Sequence, residues 1–333
     1  MSIVSSPLLA LEDLTVQIRT GHGMVQPVDR VSLTVRRGET LALVGESGCG
    51  KSMLCRALMG ILPDGARMTA GTRIFFDGRE LGTLTEGERN RLRGREIGMV
   101  LQNPLSALNP VQPIGRQIME PMQYHLRISP QAAKLRALEL LEQVGLPRPE
   151  IRFSSYPHQL SGGMRQRVAI AIAIACEPKL LIADEPTTAL DVTVQSEVLN
   201  LLGRLQQERH MAMILVSHDL AVVAGRSHET AVMYAGRIVE KAPTRHLFRN
   251  MRMPYTRALF DAIPRIDRPS HTTLAAISGQ PPDLSVVKHG CPFALRCPLV
   301  QERCREEAPL LLSDPDHSYA CWFPLHGRCD ERK

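Results

Sequence analysis

The sequence predicts an α/β fold built on a buried parallel sheet, with a phosphate-binding loop at the end of one strand. Three observations carry that prediction. Thr40 to Val44 (TLALV), Leu180 to Ala183 (LLIA) and Ala212 to Val216 (AMILV) are short, unbroken apolar runs, as expected of strands covered on both faces. Each run passes directly into polar or glycine-rich residues, which is where an α/β sheet places its chemistry. Helical patterns lie between the runs, as crossovers between parallel strands require.

The remaining elements follow in order. Val31 to Val35 alternates apolar and polar residues and reads as a half-exposed strand, and Arg73 to Asp77 (RIFFD), stopped by Gly78, reads the same way. Ser129-Pro130 is an N-cap followed by a first-turn proline. Leu135, Leu138, Leu141 and Val144 then recur at helical spacing until Gly145 stops the helix. Thr230 to Lys241 reads as a hairpin turning near Ala235-Gly236. After Phe248 the texture changes: Pro254, Pro264, Pro269, Pro281, Pro282, Pro292 and Pro298 break regular structure, and cysteines crowd together. The expected domains are therefore residues 1–250 and a smaller C-terminal extension, 251–333.

Composition narrows the function. A chain of 333 residues with 44% apolar content can bury one large domain and an appendage, and 4% aromatics makes the core mainly aliphatic. The formal net charge of +6 is spread along the chain without a dense Lys/Arg block. That argues against nucleic-acid binding and for work beside anionic phosphates or lipid headgroups. The N-terminus has no charged segment leading into an apolar one, so no signal peptide is expected. The longest uncharged apolar run, Val168 to Cys176, is too short to span a bilayer. A soluble chain is expected, with any membrane role exerted through a partner.

Gly45-Glu46-Ser47-Gly48-Cys49-Gly50-Lys51-Ser52 fits G-x-x-x-x-G-K-S between a strand and a helical pattern, the context a P-loop needs. Its glycines let backbone N–H groups turn toward phosphate oxygens, and the helix N-terminus adds partial positive charge. Lys51 supplies a full charge for the β- and γ-phosphates, and Ser52 a hydroxyl ligand for Mg²⁺. Cys49, inside the loop, predicts an ATPase that alkylation inhibits and MgATP protects. Asp184, at the end of the Leu180 run, is placed to hold the Mg²⁺ hydration shell, and Glu185 to polarise the attacking water. Two adjacent acids can also be an ordinary solvated strand end; the P-loop favours the functional reading.

Further motifs resemble the ABC ATPases. Leu160-Ser161-Gly162-Gly163-Met164-Arg165-Gln166 resembles their signature sequence, Gln102 after IGMVL their Q-loop, Ala189-Leu190-Asp191 their D-loop, and His218 after ILVS their switch histidine. The order matches the family's over roughly residues 8–250. The resemblance implies a P-loop ABC-type core with a helical subdomain at about 103–165. It implies ATP and Mg²⁺, with Ser52 and Gln102 as metal ligands and Glu185, Gln102 and His218 in catalysis. Ser161, Gly162 and Gly163 open an apolar helix whose anion-binding end faces the ATP of a second subunit, and Asp191 belongs to the same nucleotide site. The family stacks adenine on an aromatic residue ahead of the P-loop; here none precedes Phe75, so Ile18 or Val25 is expected to cover the base.

Other stretches resemble the oligopeptide/dipeptide importer branch: Gln102 to Pro110 (QNPLSALNP), Tyr156 to Gln159 (YPHQ), Met253 to Thr256 (MPYT) and Gly279 to Leu284 (GQPPDL). The resemblance implies a motor at the cytoplasmic face of a bacterial inner membrane. Its partners are a second ATPase subunit, identical or paralogous, two transmembrane permeases and a periplasmic or extracellular solute-binding protein, with no nucleic acid. Motors for nickel, opines or sugars, or for export, are the alternatives. A DNA-repair ATPase would need a coiled-coil insertion, and a translation factor two ATPase domains. Residues 103–125, rich in Pro, Gln and Met with little charge, suit a groove for a short partner helix.

Cys291, Cys297, Cys304 and Cys321 lie in the proline-rich tail without paired C-x-x-C knuckles. Four thiolates suit zinc or an iron–sulfur cluster; the resemblance to dipeptide-importer motors implies a 4Fe–4S cluster. Cys329 falls outside the pattern and is expected to be a free thiol.

Overall fold

Each of the three apolar runs forms a fully buried strand. The computed structural model describes residues 6–21, 23–263, 277–284, 289–314 and 317–325. In it the strands are Thr40–Val44, Leu180–Asp184 and Ala212–Ser217, with every residue buried. The chain divides into two compact units. Of the described residues, one unit holds those up to Leu8, Val35–Glu39 and Glu80–Val216; the other holds those of Leu9–Thr34, Thr40–Arg79 and from Ser217 onward.

In the first unit, Ile97–Val100 pairs in parallel with Leu180–Asp184, which pairs in parallel with Ala212–Ser217; Asp184 stands opposite Val216. The helix Gly162–Ile174 packs so closely that a Cβ on Gly98 would lie 2.3 Å from the Ala173 carbonyl oxygen. Its alanines, Ala169, Ala171 and Ala173, are buried and permit that approach. Ser129 caps Pro130–Gln143 as expected, its hydroxyl accepting from the Ala132 N–H at 3.3 Å. The buried face of that helix differs from the leucine repeat. Ala133, Ala137, Leu140, Leu141 and Val144 are buried, Leu138 is half-buried and Leu135 is 65% exposed. A strict spacing of three drifts about 60° per step around a 3.6-residue helix, so Leu135 and Val144 end on opposite sides. Spacings of four, three and one keep the true face together.

In the second unit, Thr40–Val44 pairs in parallel with Glu229–Tyr234, which turns back antiparallel into Arg237–Pro243. The turn uses positive φ at Ala235 (+49°) and Gly236 (+83°), matching the twist of a tight hairpin. The tail extends this sheet: His317–Tyr319 pairs with Arg237–Pro243, and Leu312–Asp314 pairs with His317–Tyr319. A separate antiparallel sheet joins Leu9–Thr20 to Ala66–Met68 and to Arg73–Phe76, with Gly23–Val35 beside Leu9–Thr20. Pro254 starts a helix, Pro254–Asp261, instead of breaking one, because the first helical position needs no N–H partner. Among the described residues, no helix is long and apolar enough to cross a membrane.

Candidate functional site

The loop Gly45–Ser52 joins the buried strand Thr40–Val44 to the helix Lys51–Met59. Two of its glycines are fixed by close backbone approach. A Cβ on Gly45 would lie 2.2 Å from the Met233 carbonyl oxygen, and one on Gly50, at φ +108°, 1.9 Å from that of Pro27. Lys51 is 4% exposed. Its Nζ donates to the carbonyl oxygens of Gly45 (2.8 Å) and Glu46 (3.0 Å) and lies 3.9 Å from the Cys49 sulfur. The ammonium is thus curled into the loop that would take phosphate. Ser52 is the second residue of the helix, and the half-buried Ile18 and Val25 lie in the strands Leu9–Thr20 and Gly23–Val35.

Glu46 is held from three sides. Its N–H donates to the Tyr255 hydroxyl (2.9 Å), its carbonyl accepts from Lys51, and its carboxylate meets Arg296 in a two-pronged pair at 2.6 and 2.8 Å. The surroundings of Cys49 count against the alkylation expected from its position in the loop. It is buried, and burial raises its thiol pKa despite the nearby Lys51 charge. The thiolate is the reactive form, so burial and the raised pKa both oppose alkylation here.

In the first unit, Asp184 is 3% exposed at the end of its strand, and Glu185 follows with a left-handed φ of +44°. For a non-glycine residue that conformation is strained, and such strain concentrates at functional positions. One Glu185 carboxylate oxygen accepts from Gln102 Nε2 at 2.9 Å and from the Thr188 hydroxyl at 3.0 Å. Two donors on one oxygen orient the carboxylate. Sequence reasoning paired Gln102 with magnesium and did not find Thr188. The signal for Thr188 was local: the turn from the Thr188 N–H to the Glu185 carbonyl (3.2 Å) returns that side chain to the acid.

Ser161 caps the helix Gly162–Ile174, its hydroxyl accepting from the Met164 N–H at 3.3 Å. A Cβ on Gly163 would lie 2.6 Å from Val194. Asp191 caps Val192–Glu208, accepting from the Val194 N–H at 3.0 Å. In the second unit, exposed His218 sits at the tip of a turn closed by Ser217, whose hydroxyl accepts from the Asp219 N–H at 3.0 Å.

The tail cysteines gather. The Cys291 N–H donates to the Cys304 carbonyl at 2.7 Å. Burial pushes the Cys291 and Cys321 thiols up to about 11, and the charges of Cys304 and Cys297 add to both shifts. Among the described residues, however, no group of three or more His, Cys, Asp or Glu side chains is placed to hold a metal ion. The expected cluster or zinc site therefore has no preformed cage: the thiols stand within range of one another's charge without converging on one point. Cys329 lies outside the described residues.

Residues 28–188 match the ABC transporter family, and residues 239–304 match the oligopeptide/dipeptide transporter C-terminal region. The dipeptide transport ATP-binding protein DppD of Escherichia coli (strain K12) is 44% identical over 96% of this chain and 97% of its own length. The oligopeptide transport ATP-binding protein OppD of Mycobacterium tuberculosis is 47% identical over 95% of this chain and 52% of its own, so the chain spans about half that relative's length. Among solved structures, the dimeric post-hydrolysis state of the ATP-binding cassette MJ0796 bound to ADP and Pi aligns with a TM-score of 0.64. It is 27% identical and covers 71% of this chain and 99% of that one.

Proposed function

Because the chain belongs to the ABC transporter family, in its oligopeptide/dipeptide branch, we propose that it is the ATP-hydrolysing motor of a membrane importer for di- or oligopeptides. The observation that carries the hydrolytic part is the oriented carboxylate of Glu185, held by Gln102 and Thr188 directly after buried Asp184. The uptake of peptides is supported by the function named for the E. coli relative and by the match to the C-terminal region.

In this reading Gly45, Glu46, Ser47, Gly48, Cys49 and Gly50 form the phosphate cradle, and Lys51 exchanges its carbonyl contacts for phosphate oxygens. Ser52 and Gln102 offer hard oxygen donors for Mg²⁺, with Asp184 holding its hydration shell, a donor set that suits that ion. When bound, the ion neutralises charge on the phosphates. Glu185 takes the proton of the attacking water, Gln102 and Thr188 set its direction, and His218 contacts the γ-phosphate. Ser161, Gly162 and Gly163 present a helix N-terminus to the nucleotide of a second motor subunit, identical or paralogous, with Asp191 beside them.

The same reading assigns residues 1–250 to the ATPase domain and 251–333 to the branch's extension. It places the motor against two permeases at the cytoplasmic face, with a solute-binding protein outside. Exposed Val111 (78%) and Tyr124 (72%) support docking of a partner helix in the 103–125 region. The gathering of Cys291, Cys297, Cys304 and Cys321 supports a thiolate metal site, 4Fe–4S or zinc, that closes on metal uptake. Anaerobically purified chain holding neither iron nor zinc sinks that site.

The test of the motor is the assembled transporter in vesicles. Labelled dipeptide should accumulate only with MgATP. Glu185→Gln should bind MgATP yet lose on the order of 10² to 10⁴ in turnover, as expected when a general base is removed. Near wild-type hydrolysis by that variant would move the base elsewhere; ATP-driven efflux, or uptake of nickel or sugar alone, would replace the peptide.

A further inference from the structure

The tail reaches the phosphate loop through the side chains of Arg296 and Tyr255. Arg296 lies in a short turn between Cys291 and Cys297, yet its side chain is only 4% exposed, and that of Glu46 22%. Its guanidinium donates to both Glu46 carboxylate oxygens at 2.6 and 2.8 Å, to the Tyr234 hydroxyl at 3.3 Å, and to the carbonyls of Ser278 (2.8 Å) and Ile277 (3.3 Å). The fork is therefore seated on every side. Beneath it, the rings of Tyr234, Tyr255 and Phe293 pack at centroid distances of 4.4 to 5.4 Å, and the Tyr255 hydroxyl accepts the Glu46 N–H at 2.9 Å. A residue of the loop that takes phosphate thus has its N–H and its carboxylate held by the C-terminal part of the chain.

We infer that Arg296 is a positioning residue for nucleotide binding: it neutralises Glu46 and presets the phosphate loop, making ATP affinity depend on the docked tail. The inference rests on the reading of that loop as the ATP site. The electrostatics give its sign. A carboxylate one residue into a loop that must receive a polyanion repels it, and this half-buried one is screened by water only in part. Paired to Arg296 in a bidentate geometry, the carboxylate no longer opposes the ligand. The loop carbonyl at Glu46 also accepts from Lys51, so shifting Glu46 moves the lysine that meets the phosphates.

The experiment measures MgATP binding to the full chain by calorimetry, and KM and kcat in the assembled transporter. Arg296→Met keeps the aliphatic stem in place and removes the charge. It should weaken MgATP binding by about tenfold or more, the consequence of an unpaired, half-buried charge beside the phosphates, and raise KM while kcat changes less than about twofold. Arg296→Lys should fall between, since it keeps the charge and loses the fork. The deciding variant is Glu46→Gln combined with Arg296→Met. If the bare carboxylate is the cause, the double variant recovers affinity relative to Arg296→Met alone. Wild-type affinity in folded Arg296→Met overturns the inference, as does a double variant no tighter than Arg296→Met, which would make Arg296 a packing residue. A folded wild-type chain that does not bind MgATP overturns both the inference and the ATP-site reading beneath it.

Discussion

Removing the carboxylate of Glu240 should loosen the tail from the strand Arg237–Pro243 by a measurable and specific amount. Glu240 is 0% exposed in the strand Arg237–Pro243. One oxygen accepts from the Arg252 N–H at 2.6 Å and lies 2.7 Å from His317 Nε2; the other accepts from the Met253 N–H at 3.1 Å. His317, in the strand that the tail adds to the sheet, is itself buried, and its Nδ1 has no partner. Glu240→Ala therefore strands two backbone donors and leaves the imidazole without its carboxylate. Each orphaned buried donor costs about 1–3 kcal/mol. The three share one acceptor, so the costs are not additive, and about 3–5 kcal/mol in total is expected. Glu240→Gln keeps one acceptor oxygen and turns an amide N–H₂ toward the other donors, so about 1–3 kcal/mol is expected. Urea unfolding gives the totals, and limited proteolysis shows whether residues beyond 289 are cleaved first. If Glu240→Ala unfolds within about 0.5 kcal/mol of wild type, the range of an ordinary surface substitution, this account of the buried carboxylate is wrong.

Three further outcomes follow from the site. Gly50→Ala should abolish MgATP binding, because its Cβ would sit 1.9 Å from the Pro27 carbonyl at φ +108°; calorimetry showing wild-type affinity would mean the loop can move aside. Thr188→Val should lower kcat about tenfold with MgATP affinity unchanged, the effect of losing one hydrogen bond to a charged acceptor; an unchanged kcat would leave Gln102 as sufficient. Cys49 should react with maleimide more slowly than a surface thiol at neutral pH and faster as pH rises, since its raised pKa keeps it protonated; mass spectrometry showing rapid labelling at Cys49 would overturn its burial.

The strands Thr40–Val44, Leu180–Asp184 and Ala212–Ser217 were legible because strands buried on both faces must be apolar throughout, which one short window reveals. The helix Pro130–Gln143 was legible at its start, where Ser129 caps it, and misread on its face, where Ala133 and Ala137 are buried beside Leu140 and Leu141 while Leu135 faces out. The loop Gly45–Ser52 and the acids Asp184 and Glu185 stood out in the sequence because each motif lies in consecutive residues, and the structure sets both at strand ends. Gln102 was singled out only through the order of motifs, and its contact with Glu185, 83 residues away, was not foreseen. Thr188 was missed although its signal lay three residues away.

The tail shows where such reading stops, and for a physical reason. Its cysteines stood out because thiols are rare and crowd there, whereas Arg296 is one of 40 lysines and arginines. Nothing near Arg296 marks it, because what matters about it is a contact with Glu46 across 250 residues of sequence, and the Tyr255 contact spans 209. Local composition reports the cost of placing a group; it does not report the partner that offsets the cost. A buried guanidinium needs a carboxylate and a set of carbonyls, and the fold supplies them from the phosphate loop, from Tyr234 and from the Ser278 segment at once. The cysteines, by contrast, are close in sequence and close in space, yet lack a common centre among the described residues. The tail's firmest chemical tie to the nucleotide loop is therefore an ion pair at Arg296, in the turn between two of the cysteines that drew attention to it.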